Sequence, residues 1–230
     1  MLTGISKGGF GGGAGGAATP LLAMVIPPAQ GAAIMLPVLC VMDVFGIRAY
    51  LWRWDARLVR ITVSAGLIGC AAGALAFGHL DDDWIRILVG LTALGFLAYS
   101  LLPRKPLPAP SDRQGWFWCA LSGFTSFITH SGGAPLMVYL LPQKLDKAVF
   151  VATSLVFFAA MNYVKILPYL WLGLLDARNL ATSAALVPAG VAGIYLGLRL
   201  QRRISARWFY RLIYGLLFIT GVKLLYDGLT

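Results

Sequence analysis

The sequence predicts an all-α polytopic membrane protein of two homologous halves. Each half is a glycine-rich broken or re-entrant helical hairpin followed by three transmembrane helices, and the halves read as inverted repeats. Three observations lead there. The first is composition: 59% of the residues are apolar and only 12% charged, with a mean hydropathy of +0.77, whereas soluble domains carry about 25% charged residues. The second is spacing: in 230 residues there is room for roughly eight apolar runs of about 20 residues with short breaks. The third is an ordered series of repeated motifs in the two halves.

The runs fall in order. Residues 1–27 carry "SKGGFGGGAGGAATP", poor helix material because each interior glycine costs about 1 kcal/mol against alanine. Residues 29–50, 58–79 and 84–102 follow, the second ending in "GHLDDD". A Pro-rich, polar linker (103–114) separates them from runs at 115–142, 147–167, 178–199 and 206–226. The chain is thus expected to be one membrane transport domain, 1–230, with pseudo-repeats 1–102 and 115–230. Trp52, Trp54, Trp116, Trp118, Trp171 and Trp208 lie at run ends, where interface anchors sit. Cys40, Cys70 and Cys119 have neither pairing nor metal spacing and read as small core residues. The first residues lack the basic region and clean apolar core of a signal peptide.

The halves match motif by motif. "PLLAMVIPP" (20–28) matches "PLMVYLLPQ" (135–143), "GGAATP" lies against "SGGAP", and "YLWRWDAR" (50–57) matches "YLWLGLLDAR" (169–178). "WIRILVGL" (84–91) pairs with "WFYRLIYGL" (208–216). Duplicated transporter units are parallel or inverted, and basic residues discriminate, since Lys and Arg gather at cytoplasmic ends. If every run spans once, the bias is weak and "LQRRISARW" falls on the wrong side. If the first run of each half enters and leaves on one face, fourteen of the 19 basic residues become cytoplasmic. In that arrangement Lys7, Arg86, Lys165, Arg178 and Lys223 are the remainder. The net charge of +10 is therefore topological. Its dispersion argues against a nucleic-acid partner and for a lipid bilayer.

A hairpin that turns inside a membrane exposes bare backbone, which must line a polar cavity or be buried in protein. Glycine permits the turn and close approach to the backbone. Pro20 and Pro135 suit the first turn of a returning helix. Gly12, Gly13, Gly15 and Gly16 form one tip, with Thr19 beyond it. Thr129, His130, Ser131, Gly132 and Gly133 form the other. Two helix N-termini converging near the membrane centre favour an anion. Close helix packing is the competing reading of the glycines.

Further candidates are side chains. Lys7 either offsets the charge of an anion or snorkels to the interface. His130 can donate to an oxyanion or carry a coupled proton. Thr153 and Ser154 either donate hydroxyls or bond back to their own helix. Asn162 is polar within an apolar run. Asp43 is a candidate proton-coupling group, although pairing with Arg48, one turn and a residue on, is the expectation slightly preferred. No metal, cofactor or catalytic set is expected; His79 and His130 are isolated, which argues against an enzyme.

"GGGAGGAATPLL", "SGGAPLM", "KAVFVATSLVFFAAMNYVKILPYLWLGLLDAR" (147–178) and "GVAGIYLGLRLQRRIS" (190–205) resemble the TauE/SafE sulfite-exporter family, the toluenesulfonate uptake permeases. The resemblance covers nearly the whole chain. It implies a secondary transporter, an exporter of sulfite, a sulfonate or a related anion, in the bacterial inner (plasma) membrane. An anion channel and a carrier of carboxylates are the alternatives. A homodimer and proton coupling are further expectations. "AAIMLP" (32–37) departs from the pattern, for it lacks the Thr-Ser found at 153–154.

Overall fold

The computed structural model describes residues 1–10, 18–77, 79–101, 110–200 and 206–230. All its regular elements are helical: α1 (Leu2–Phe10), α2 (Ala18–Ala23), α3 (Pro28–Ala49), α4 (Ala56–Phe77), α5 (Asp82–Leu101), α6 (Asp112–Thr129), α7 (Gly133–Leu140), α8 (Lys147–Trp171), α9 (Ala177–Leu200) and α10 (Ala206–Leu229). A 3-10 turn, Leu141–Gln143, follows α7. Four of these, α3, α4, α8 and α9, are long and apolar enough to cross a membrane. Their outward faces carry exposed apolar side chains such as Ile68, Leu75 and Leu167, as a lipid-facing surface requires.

Local chemistry sets the boundaries. Pro28 opens α3 at its first position, where a missing N–H costs nothing. Asp55 Oδ1 accepts from the Leu58 N–H at 2.8 Å and starts α4. Asp176 does the same for α9 through the Asn179 N–H at 2.7 Å. These two aspartates are the Asp-Ala-Arg of the repeated motif, so the repeat extends to the caps. Ser111 and Gln114 form a capping box at the start of α6.

The glycines predict a break in the first run of each half, and the described residues include one of the two. Between α1 and α2 lie residues 11–17, so Gly12, Gly13, Gly15 and Gly16 fall outside the described residues; Thr19 and Pro20 lie in the first turn of α2. The break between α6 and α7 is described fully. Gly115 lies against the ring of Tyr139, and Gly132 against Ser122 and Ser126. Thus α7 runs back alongside α6, and the pair is a hairpin whose tip is His130.

Glycine contacts fix the direction in which neighbouring helices run. On α3 and α8, Cys40 meets Tyr163, Asp43 meets Asn162, and Gly46 meets Leu155. One number rises as the other falls, so α3 and α8 are antiparallel. The same holds for α5 and α10, where Ile87 meets Gly228 and Leu94 meets Gly221. By contrast α4 and α6 run parallel, with Gly66 on Gly123 and Gly73 on Phe127. So do α1 and α9, with Gly4 on Gly190 and Gly9 on Gly197. Exchange of the halves turns the α4–α6 contact into the α9–α1 contact. Small residues let both pairs approach backbone to backbone.

Candidate functional site

At the centre of the bundle, where α3 and α8 cross, polar side chains link both halves in one chain. Lys7 Nζ of α1 is ion-paired with Asp43 of α3. Asn162 Nδ2 of α8 donates to the other oxygen of Asp43 at 2.7 Å. Asn162 Oδ1 accepts from Lys165 Nζ at 3.2 Å. Lys165 Nζ also donates to Ser126 O at 2.7 Å and Ser126 Oγ at 2.9 Å. It lies 3.0 Å from His130 Nδ1, and His130 Nε2 lies 2.9 Å from Ala32 O of α3. Asp43 and Lys165 are fully buried, and Lys7, Asn162 and His130 nearly so.

The bonds fix the protons. Ala32 O only accepts, so Nε2 of His130 carries the hydrogen and Nδ1 accepts from Lys165. In that tautomer the imidazole is neutral and Lys165 Nζ is the donor. Four acceptors surround its three N–H bonds, so one of them is replaceable. Among the described residues no carboxylate touches Lys165; Asp43 is reached only through Asn162. The cluster therefore brings two lysines and one aspartate together.

His130 sits at the hairpin tip in a left-handed conformation, φ 53°, which costs a non-glycine residue about 1–2 kcal/mol. Its backbone N–H to Ser126 O, 3.1 Å, and its two ring contacts hold it there. Thr129 Oγ1 accepts from the Ser131 N–H at 3.2 Å and donates to Thr125 O at 2.9 Å. Ser131 Oγ donates to Thr129 O at 3.1 Å. The tip hydroxyls thus brace the turn itself. The Gly132 carbonyl accepts from Ser122 Oγ, and Gly133 begins α7.

The other sequence candidates divide. Asp43 pairs with Lys7 and Asn162, not with Arg48, because α1 and α8 bring a cation and an amide to the buried face of α3. Lys7 points into the bundle rather than out to an interface. Thr153 and Ser154 are buried on α8, but nine and eight residues before Asn162. At 1.5 Å per residue that is about 12–14 Å, and they do not join the cluster. Thr153 Oγ1 accepts from the Asp55 N–H at 3.1 Å and so steadies the α3–α4 turn. Ser154 Oγ, like Ser6 Oγ, is buried with no hydrogen-bond partner in the structure.

Lys165 escaped the sequence reading, which treated it as a topological charge at a helix end. The arrangement corrects that: it is fully buried and bonded to the α6–α7 hairpin. The alignment of the two Tyr-Leu-Trp triplets held a clue. It sets the halves 119 residues apart, and that separation makes Asn162 the counterpart of Asp43. The two meet each other across the α3–α8 contact. At the same separation Tyr50 Oη donates to Gly8 O at 3.0 Å and Tyr169 Oη to Phe127 O at 2.8 Å. Each tyrosine ties its half's hairpin to the following span. An apolar cavity of about 300 Å³ lies beside Thr3, Met35 and Met42.

Comparison with known families decides the class. The Sulfite exporter TauE/SafE family model matches residues 1–224. The chain belongs to the TauE/SafE family. It is thus a multi-pass protein of a membrane transport family. No curated protein and no solved structure matched significantly.

Proposed function

We propose that this TauE/SafE protein is a secondary transporter that exports a small sulfur oxyanion, such as sulfite or a sulfonate, across the inner membrane. The observation that carries this reading is Lys165, buried, ringed by neutral acceptors and, among the described residues, touched by no carboxylate. An uncompensated buried charge is expensive, and a small anion at the second hairpin tip supplies the missing charge. Asn162, Ser126 and His130 surround that point, and Lys7 is linked to it through Asp43 and Asn162. The glycines of the first tip (Gly12, Gly13, Gly15, Gly16), Thr19 and the second tip (Thr129, Ser131, Gly132, Gly133) would then bound the site. Nothing in the cluster resembles a nucleophile with its base, so the site suits binding rather than catalysis.

Inverted halves support alternating access. The counterpart helices α3 and α8 are antiparallel, and so are α5 and α10, which supports a pseudo-two-fold axis in the membrane plane. With α4 and α5 each crossing once, α8 opposes α3 only if α6 and α7 enter and leave on one side. The ion-paired Arg57 and Asp112 then share the cytoplasmic face. A cysteine placed in residues 81–83 should react with an impermeant label from outside, and one in 201–205 only from the cytoplasm. Labelling of both from one side would contradict the inversion.

Flux distinguishes a carrier from a channel. Proteoliposomes loaded with unlabelled sulfite should accumulate labelled sulfite transiently by counterflow, with saturable rates. Conductance without counterflow would make the protein a channel. No flux of sulfite or any sulfonate would overturn the substrate assignment.

A further inference from the structure

Asp43 is the one acidic group in the cluster, and its counterpart across the axis, Asn162, is its uncharged isostere. The ionisable groups around it come from several elements. Lys7 comes from α1 and Lys165 from α8. His130, from the α6–α7 hairpin, reaches it through Lys165. Tyr163 of α8 donates to the Cys40 carbonyl, one turn before Asp43 on α3. From α9 come Asn179, bonded to Gln30, and Ser183, bonded to Ile34 O, neither of which titrates. With a neutral imidazole, both lysines as ammonium groups and Asp43 as a carboxylate, the cluster's formal charge is one positive.

A bound monoanion neutralises that cluster while Asp43 stays ionised. A dianion exceeds it by one charge, and an excess buried charge is costly whichever its sign. A proton on Asp43 restores the balance. It turns the Lys7–Asp43 ion pair into a hydrogen bond from the ammonium to a neutral carboxyl group and leaves the positive charge of Lys7 to face the second negative charge. We propose that Asp43 sets the coupling of this transporter by anion valence: a monoanion is carried alone, and a dianion is carried with one proton bound to an Asp43 carboxylate oxygen. The proton enters from the aqueous phase that the open site faces, and leaves with the dianion on the other side. This rests on the reading that small oxyanions bind at the cluster.

Binding calorimetry on the purified full chain tests it, in buffers of different ionisation heats so that protons are counted. Methanesulfonate is the monoanion probe and thiosulfate the dianion; sulfite changes valence near neutrality and cannot discriminate. The wild-type protein should take up about one proton per thiosulfate and about none per methanesulfonate, so that the thiosulfate Kd falls about tenfold for each unit drop in pH. Asp43→Asn should abolish both the uptake and the slope. Equal proton counts for the two anions in the wild type would overturn the proposal, whether or not the variant folds. Binding of only one of the two would overturn it as well. If neither binds, the anion-site reading itself fails, which is a distinct result.

Discussion

Lys165→Met is expected to weaken sulfite binding by about ten- to a hundredfold. The estimate follows from one charge-assisted hydrogen bond, about 1.5–3 kcal/mol, at about 1.4 kcal/mol per factor of ten. Met keeps the unbranched stem and its helix propensity, so α8 is preserved. Two effects on folding oppose each other. The substitution removes an uncompensated buried charge, and it also strips a donor from Ser126 O, Asn162 Oδ1 and His130 Nδ1. The informative readout is therefore the ligand response: the rise in melting temperature with added sulfite should shrink sharply. Lys223→Met is the control, because Lys223 is exposed on α10 and paired with Asp227. An unchanged sulfite response in Lys165→Met would place the anion elsewhere.

Gly69→Ala is expected to lower the melting temperature in detergent by about 6–12 °C. A Cβ at Gly69 would stand 1.7 Å from Ala120 O and 2.9 Å from the Phe124 amide nitrogen. Both are backbone atoms of α6, so no rotamer relieves the clash and the helices must part. Overpacking of this kind costs up to about 3 kcal/mol, and each kcal/mol shifts the midpoint by about 2–4 °C in a chain of this size. Gly95→Ala separates packing from propensity, for a Cβ there meets nothing within 4 Å; that variant should be neutral or slightly stabilised. Equal melting temperatures for the two variants would contradict the close α4–α6 contact.

How far the sequence reaches is visible in these two residues. Gly69 belongs to a pattern that is local: glycines at helical spacing in an apolar run imply a close helix neighbour, though not which one. The break before α7 was legible for the same reason, since Gly-Gly ahead of a proline signals a turn without tertiary information. The repeat was legible because whole words recur, down to the capping aspartates Asp55 and Asp176. Lys165 was not. A lone lysine in an apolar run carries the same local signal whether it snorkels to an interface or lies buried, and only the return of α7 along α6 puts Ser126 and His130 around it. Asp43 failed similarly: Arg48 is its neighbour along the helix, but the helix turns the two apart and Lys7 arrives from 36 residues away. The small tip residues looked like ligands, whereas Thr129 and Ser131 spend their hydroxyls on the turn.

The most direct measurement is the position of a bound anion. Selenite, a heavier analogue of sulfite, gives an anomalous signal in crystals grown with it. The account predicts a peak within hydrogen-bond distance of Lys165 Nζ, between Asn162 and the His130 tip, and loss of that peak in Lys165→Met. A peak at any other place in a protein that still transports, with none beside Lys165, would contradict it.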